Sequence, residues 1–179
     1  KKVGIIAPSV QWTSCNAKRN SMRSKMIVHD TCLVITSGSI VNLKAFKKVG
    51  GFKSEFFIDE VDHDYCLKNI SKGFRVIKID NVYLSHKLGN TKEYNVLGRK
   101  IVVTHHNPVR RYYIIRNRLY MIKEYYRRYP RLMKKYISET LKDILKMILF
   151  EDDKMKKIGS ICSAFLDFLQ GKKGKKYND

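Results

Sequence analysis

Short apolar runs alternate with polar stretches through the first hundred residues, and helical periodicity takes over after them. Runs at 3–7, 32–36, 56–58 and 74–79 are rich in β-branched and aromatic residues and predict strands. Helical stretches lie among them. Over 39–49, Ile40, Leu43, Ala45, Phe46 and Val49 fall near helical spacing, and Gly50-Gly51 supplies a helix stop and a turn. Over 62–72, Tyr65, Cys66 and Ile70 point inward and Gly73 ends the helix in the same way. Residues 11–29 predict a long, polar, basic loop. This alternation predicts an α/β fold.

From Val109 onward the pattern is helical. Residues 110–129 are dense in Arg, Tyr and Ile and stop at Pro130. Residues 132–150 place Ile137, Leu141, Ile144, Leu145, Ile148 and Leu149 on one face, which predicts a core stripe. Lys134, Lys135, Lys142 and Lys146 fall mostly off that face and predict a solvated one. Glu151-Asp152-Asp153 breaks the pattern or caps a further helix over 155–169, and Lys172-Lys173-Gly174-Lys175-Lys176 follows. The chain thus divides into an α/β part, 1–108, and a basic amphipathic helical extension, 109–179.

Composition narrows the partners. Among 179 residues, 37 Lys+Arg face 16 Asp+Glu for a formal net charge of +21, which suits nucleic acid, an acidic membrane surface or phosphate-bearing substrates. With 44% hydrophobic residues, a core can form and a disordered basic tail is excluded. The charge is concentrated, with fourteen basic and three acidic residues over 99–149. No apolar run approaches the roughly 18 to 20 residues of a membrane span. The chain shows no signal-peptide pattern and begins on a predicted strand without Met, so it is expected to be a piece of a longer protein. Cys15, Cys32, Cys66 and Cys162 lack zinc or redox spacing, which predicts reduced, mostly buried thiols in a cytosolic protein.

Within so basic a chain, Asp59-Glu60-Val61-Asp62-His63-Asp64 crowds four carboxylates where a strand hands over to a helix. Crowded carboxylates repel, which raises some of their pKa values and suits one to act as a general base. They could equally share a divalent cation, or cap the helix and complement its dipole. Spacing alone leaves these open. His86, after a short apolar run, is a candidate metal ligand or proton carrier, or a hydrogen-bonded surface residue. His105 and His106 would point opposite ways on a strand, so at most one joins any given site.

Taken in order, Ile35-Thr36-Ser37-Gly38-Ser39-Ile40-Val41-Asn42-Leu43, Phe46-Lys47-Lys48-Val49-Gly50-Gly51-Phe52 and Phe57-Ile58-Asp59-Glu60-Val61-Asp62-His63-Asp64-Tyr65-Cys66-Leu67-Lys68 resemble the second half of a family 2 glycosyltransferase. The likeness is strongest to the bacterial rhamnosyltransferase-like branch. His86 with Leu88-Gly89, then His106-Asn107-Pro108-Val109-Arg110-Arg111-Tyr112-Tyr113, Arg116-Asn117 and Gly171-Lys172-Lys173-Gly174-Lys175 extend it over nearly the whole chain.

The resemblance implies the acceptor-side half of a GT-A, Rossmann-like fold that transfers a sugar from a nucleotide donor with inversion. It implies Asp62 as the general base, with Asp59, Glu60 and Asp64 shaping its pKa or binding sugar or acceptor. It implies His86 as a ligand to a divalent metal, Mn or Mg, on the donor diphosphate. Ser37, Gly38, Ser39 and Gly51 fall to the sugar and acceptor, and Arg111, Tyr112, Arg116 and Asn117 to a diphosphate clamp. The expected acceptor is a polysaccharide or lipid-linked saccharide, met at the inner face of the cell membrane. Two departures stand out: Lys68 replaces the usual Arg and loses its bidentate fork, and no nucleotide-binding half with its Asp-X-Asp precedes the motifs. Alone, the chain is expected to have little or no activity. The rival reading makes the Arg- and Tyr-rich segment a nucleic-acid or membrane-surface module; it leaves the acidic cluster and the glycine landmarks unexplained.

Overall fold

The computed structural model describes residues 2–12, 25–86 and 91–176. Cys15, Leu88-Gly89 and much of the predicted loop over 11–29 lie outside the described residues; the described ends of that loop, Gln11-Trp12 and Val28-His29, are strand instead, because both pair with the strand over 75–86. The chain forms two compact units, one of Lys1–Lys53 with Val61–Lys87, the other of Ser54–Glu60 with Leu88–Asp179.

The first unit is α/β. Strand β1 (Val3–Trp12) runs parallel to β4 (Arg75–His86), while β2 (Val28–Asp30) pairs antiparallel with β4 and β3 (Ile40–Val41) antiparallel with β1. The order is β2-β4-β1-β3. Alternate residues of β1, Ile5, Ala7 and Ser9, are buried, as the period-2 geometry of a strand requires. Helix α1 (Leu43–Val49) and α2 (Val61–Ser71) complete the core, in which Val49, Tyr65 and Cys66 meet Ile5, Ala7, Val34 and Val76.

Two expectations shift here. Ile40 and Val41, predicted as helical, are β3, because the Asn42 side chain caps α1 by accepting the Lys44 and Ala45 N–H groups at 3.0 and 3.2 Å. The run 32–36 forms no strand: β3 and β4 already occupy both edges of β1, and this run only lends Val34 to the core. The stop at Gly50-Gly51 is as predicted, with Gly50 left-handed at φ 85°. Of the described cysteines Cys66 is buried, its thiol pushed up to about 12 chiefly by burial, whereas Cys32 and Cys162 are exposed, against the expectation of mostly buried thiols.

At Gly4 the helix presses on the sheet. A Cβ there would stand 2.0 Å from Asn69 Oδ1, on a buried side chain whose Nδ2 donates to Tyr65 O at 2.9 Å. Gly4→Ala is expected to cost the first unit about 1–3 kcal/mol, read as a lower urea midpoint. An unchanged midpoint would mean that α2 gives way freely.

In the second unit a hairpin, β5 (Lys92–Val96) and β6 (Arg99–Val103), closes through Leu97-Gly98 at φ 49° and 76°, the paired positive values of a type I′ turn. Three helices follow: α3 (Pro108–Tyr125), α4 (Pro130–Phe150) and α5 (Lys154–Leu169). Asn107 caps α3 by accepting the Arg110 N–H at 2.7 Å, and Pro108 and Pro130 sit where a missing N–H costs nothing. The core joins Tyr112, Tyr113 and Ile115 of α3 with Met147 of α4 and Ile161 and Ala164 of α5. The stripe on α4 predicted as core is mostly outside: Leu141 is 62% exposed, Leu145 56% and Leu149 58%. Met133 and Met147 are the residues α4 buries, because its core side is set by the packing of α3, one quarter-turn from the stripe.

Candidate active site

The acidic cluster is divided between the units. Its leading part, residues 54–60, belongs to the second. A single 3₁₀ turn (Ser54–Phe56) gives way to Phe57, Asp59 and Glu60 at φ 62°, 61° and 63°. A strand, predicted for 56–58, is incompatible with those angles. Left-handed conformations in non-glycine residues cost on the order of 1 kcal/mol or more each, and persist only when the surroundings impose them.

Helix α3 imposes them. Asn117 Nδ2 donates to the carbonyls of Phe56 and Ile58 at 2.8 Å each and of Asp59 at 3.2 Å. Arg110 grips the Asp59 carboxylate with a fork at 3.0 and 3.1 Å, and Arg118 Nε reaches Glu60 at 3.2 Å. Arg116, its guanidinium within about 5 Å of the Tyr112 and Tyr113 rings, donates to the Glu55 carbonyl at 3.3 Å and the Gly174 carbonyl at 2.7 Å. Residues 172–176 therefore lie against this loop, where Gly174 N–H also donates to Glu55 O at 2.7 Å.

The rest of the cluster opens α2 in the first unit. Asp64 is fully buried and paired with Lys53 at 3.3 Å and Lys68 at 2.8 Å, which holds helix to turn and leaves it no access to a substrate. Asp62 differs. Its carboxylate is half-buried, accepts the His63 N–H at 3.0 Å and, among the described residues, has no ion-pair partner.

The other expected site residues of this unit are spread about it. Ser37, Gly38 and Ser39 form an exposed turn closed by Ser39 N–H to Thr36 O at 3.0 Å. Gly38 is left-handed there, and a Cβ would stand 3.3 Å from Pro8 and Leu84. Gly51 is buried under Phe46, whose ring packs with Phe52 and Tyr65, so its lack of a side chain serves packing. His86 ends β4 opposite Trp12 of the parallel β1, at the carboxyl edge where open α/β sheets gather ligands.

Arg111, Tyr112, Arg116 and Asn117, expected to clamp a diphosphate, are all buried and turned into the second unit. Arg111 meets Glu151 at 2.7 Å, and Lys157 meets the other oxygen of Glu151 at 2.8 Å. Tyr112 donates to Asp167 at 2.7 Å. These side chains build the acidic loop and the helix core. His106 is pushed down to about 4 by burial and by Arg110 and Arg111, and is neutral at pH 7. Among the described residues no group of three or more His, Cys, Asp or Glu could hold a metal, and no helix is long and apolar enough to cross a membrane.

Arg110 and Arg118, absent from the expected site, neutralise Asp59 and Glu60. Their spacing with Asn117 is the signal: positions 110, 117 and 118 share one face of a 3.6-residue helix.

Part of the chain is similar in sequence to a curated protein. The chain is 34% identical over 116 residues to the dTDP-rhamnosyl transferase RfbF of Shigella flexneri. The likeness is to a glycosyltransferase. It takes in 62% of this chain and 38% of the relative, so the chain matches well under half of that protein's length. No family model matches, and no solved structure matches. The first unit's mixed α/β architecture is compatible with part of such an enzyme.

Proposed function

We propose that the chain is the acceptor-side part of a longer GT-A glycosyltransferase of family 2 that transfers a sugar with inversion from a nucleotide-sugar donor to a saccharide acceptor. The acceptor is a polysaccharide or lipid-linked saccharide of the bacterial surface, and the donor sugar is rhamnose, as the name of the relative suggests. One observation carries the assignment of the base. Of the four clustered carboxylates, Asp59, Glu60 and Asp64 are matched by Arg110, Arg118 and two lysines, and Asp62 alone lacks a cation among the described residues.

Asp62 takes the proton of the acceptor hydroxyl as that oxygen attacks the anomeric carbon. The bond to the nucleoside diphosphate breaks, and its electron pair leaves with the diphosphate. Asp59 and Glu60, held by Arg110 and Arg118, keep the strained loop in place directly ahead of α2. A divalent metal, Mn or Mg, would neutralise charge on the leaving diphosphate, with His86 as one ligand. The described residues do not by themselves supply the several oxygen ligands such an ion takes.

The test of the reading is release of nucleoside diphosphate from dTDP-rhamnose by the complete polypeptide with a saccharide acceptor. Failure with every nucleotide sugar tried overturns it. His86→Ala is expected to raise the Mn or Mg concentration needed for half-maximal turnover at least about tenfold; an unchanged titration rejects His86 as a ligand.

A further inference from the structure

Beyond α5 the chain turns back along α3, and residues 172–176 are held one by one. The Tyr120 hydroxyl donates to Lys172 O at 3.0 Å, Arg116 Nη1 donates to Gly174 O at 2.7 Å, and the Lys176 N–H donates to the Tyr113 hydroxyl at 2.8 Å. Residues 113, 116 and 120 share one face of α3 at three- and four-residue spacing, so alternate residues of the segment meet successive turns of the helix. The two residues between reach the acidic loop instead. Lys173 Nζ meets the Glu55 carboxylate at 3.0 Å and Lys175 Nζ stands 5.5 Å from the centre of the Phe57 ring, while the Gly174 N–H donates to Glu55 O at 2.7 Å. Arg116 joins segment to loop, since its other terminal nitrogen donates to Glu55 O at 3.3 Å. This guanidinium is 1% exposed, and its acceptors are neutral oxygens, two of them these carbonyls.

We propose that residues 172–176 are a strap that positions the acidic loop, and that turnover depends on the strap being docked. The loop needs this second hold. Asn117 secures the carbonyls of 56, 58 and 59, but Glu55 is fixed by Lys173, Gly174 and Arg116. With Phe57, Asp59 and Glu60 left-handed, an unfixed leading end lets the strained turn relax. Asp62 is the second residue beyond that turn, so a relaxed loop loosens the chain that leads into it. The strap acts through the loop and needs no contact with substrate, which makes Lys173 and Arg116 positioning residues. The dependence of turnover rests on the glycosyltransferase reading; the hold on the loop does not.

Gly174→Pro tests this. Gly174 sits at φ 80°, which proline cannot adopt, and proline lacks the N–H given to Glu55. The position lies beyond the last helix, so helical circular dichroism stays native. In the 179-residue chain, the amides of Phe57 and Ile58 are expected to exchange with deuterium at least about tenfold faster in the variant. In the complete polypeptide, kcat falls at least about tenfold while KM for the nucleotide sugar stays within about twofold. Lys173→Glu gives a smaller fall in kcat, about two- to fivefold, and adding Glu55→Lys restores it by reversing the half-exposed pair. Loop exchange left unchanged by Gly174→Pro overturns the strap. Faster exchange with native kcat overturns its role in turnover and leaves a structural clasp. A complete polypeptide that turns over no nucleotide sugar overturns the reading of the reaction, and the exchange measurement still decides whether the strap holds the loop.

Discussion

Asp62→Asn in the complete polypeptide is expected to lower kcat by about 10²- to 10⁴-fold while leaving the thermal midpoint unchanged. The amide keeps the shape of the carboxylate and still accepts the His63 N–H, so the start of α2 is preserved. What is lost is the proton acceptor. No other carboxylate of the cluster is placed to take over, since Asp59, Glu60 and Asp64 each serve a cation already in contact. Turnover within a fewfold of the native value would remove Asp62 as the base. Asp64→Asn gives the contrasting signature, because it leaves Lys53 and Lys68 beside a neutral, fully buried group; its effect should fall on stability.

The largest stability effect is expected from Glu151→Ala. Glu151 lies between Arg111 and Lys157 at 2.7 and 2.8 Å, and all three side chains are nearly inaccessible to water, at 1%, 2% and 6% exposure respectively. Removing the carboxylate strands two buried cations, a change that costs about 3–5 kcal/mol. A urea titration followed by helical circular dichroism reads this as a lower midpoint, and a shift under about 1 kcal/mol would show that water reaches the triad. The pH dependence has a definite sign. Burial alone would raise the Glu151 pKa, but the Lys157 hydrogen bond and the charges of Arg111 and Lys157 outweigh it and hold the group below its ordinary value. The contribution is therefore complete above about pH 4.3, the unfolded value, and is lost as pH falls through the lower folded one. Glu151→Gln should flatten that acid limb.

The helices, the leading halves of β1 and β4 and the glycine stop after α1 were legible from periodicity, because each is dictated by neighbours in sequence. The misses share a cause. Short apolar runs such as 32–36 and 56–58 do not say whether a strand has an edge to join, and nothing local announces three left-handed residues in Phe57-Ile58-Asp59-Glu60. The hairpin closes on Leu-Gly, not on Asn-Gly or Asp-Gly, and its exposed strands carry no alternating signal. Amphipathicity located the apolar stripe of α4 but could not say whether the rest of the unit covers it. At the site, the cluster of acids was plain in the sequence. Which of them stays unmatched was not, because Arg110 and Arg118 arrive from more than fifty residues away.

The contact between residues 172–176 and the acidic loop also bears on when the loop can exist. Lys173 meets the Glu55 carboxylate at 3.0 Å across a separation of 118 residues, and Arg116 and Tyr120 hold the carbonyls of Gly174 and Lys172. Such closures are among the slowest to form. On a ribosome, the β1 strand and α1 emerge long before these partners do. The loop ahead of Asp62 must then wait for α3 to hold its left-handed backbone, and its Glu55 end waits longer, until the lysines beyond α5 have been synthesised. The order of synthesis thus makes the clasp on Glu55 one of the last features of the molecule to set.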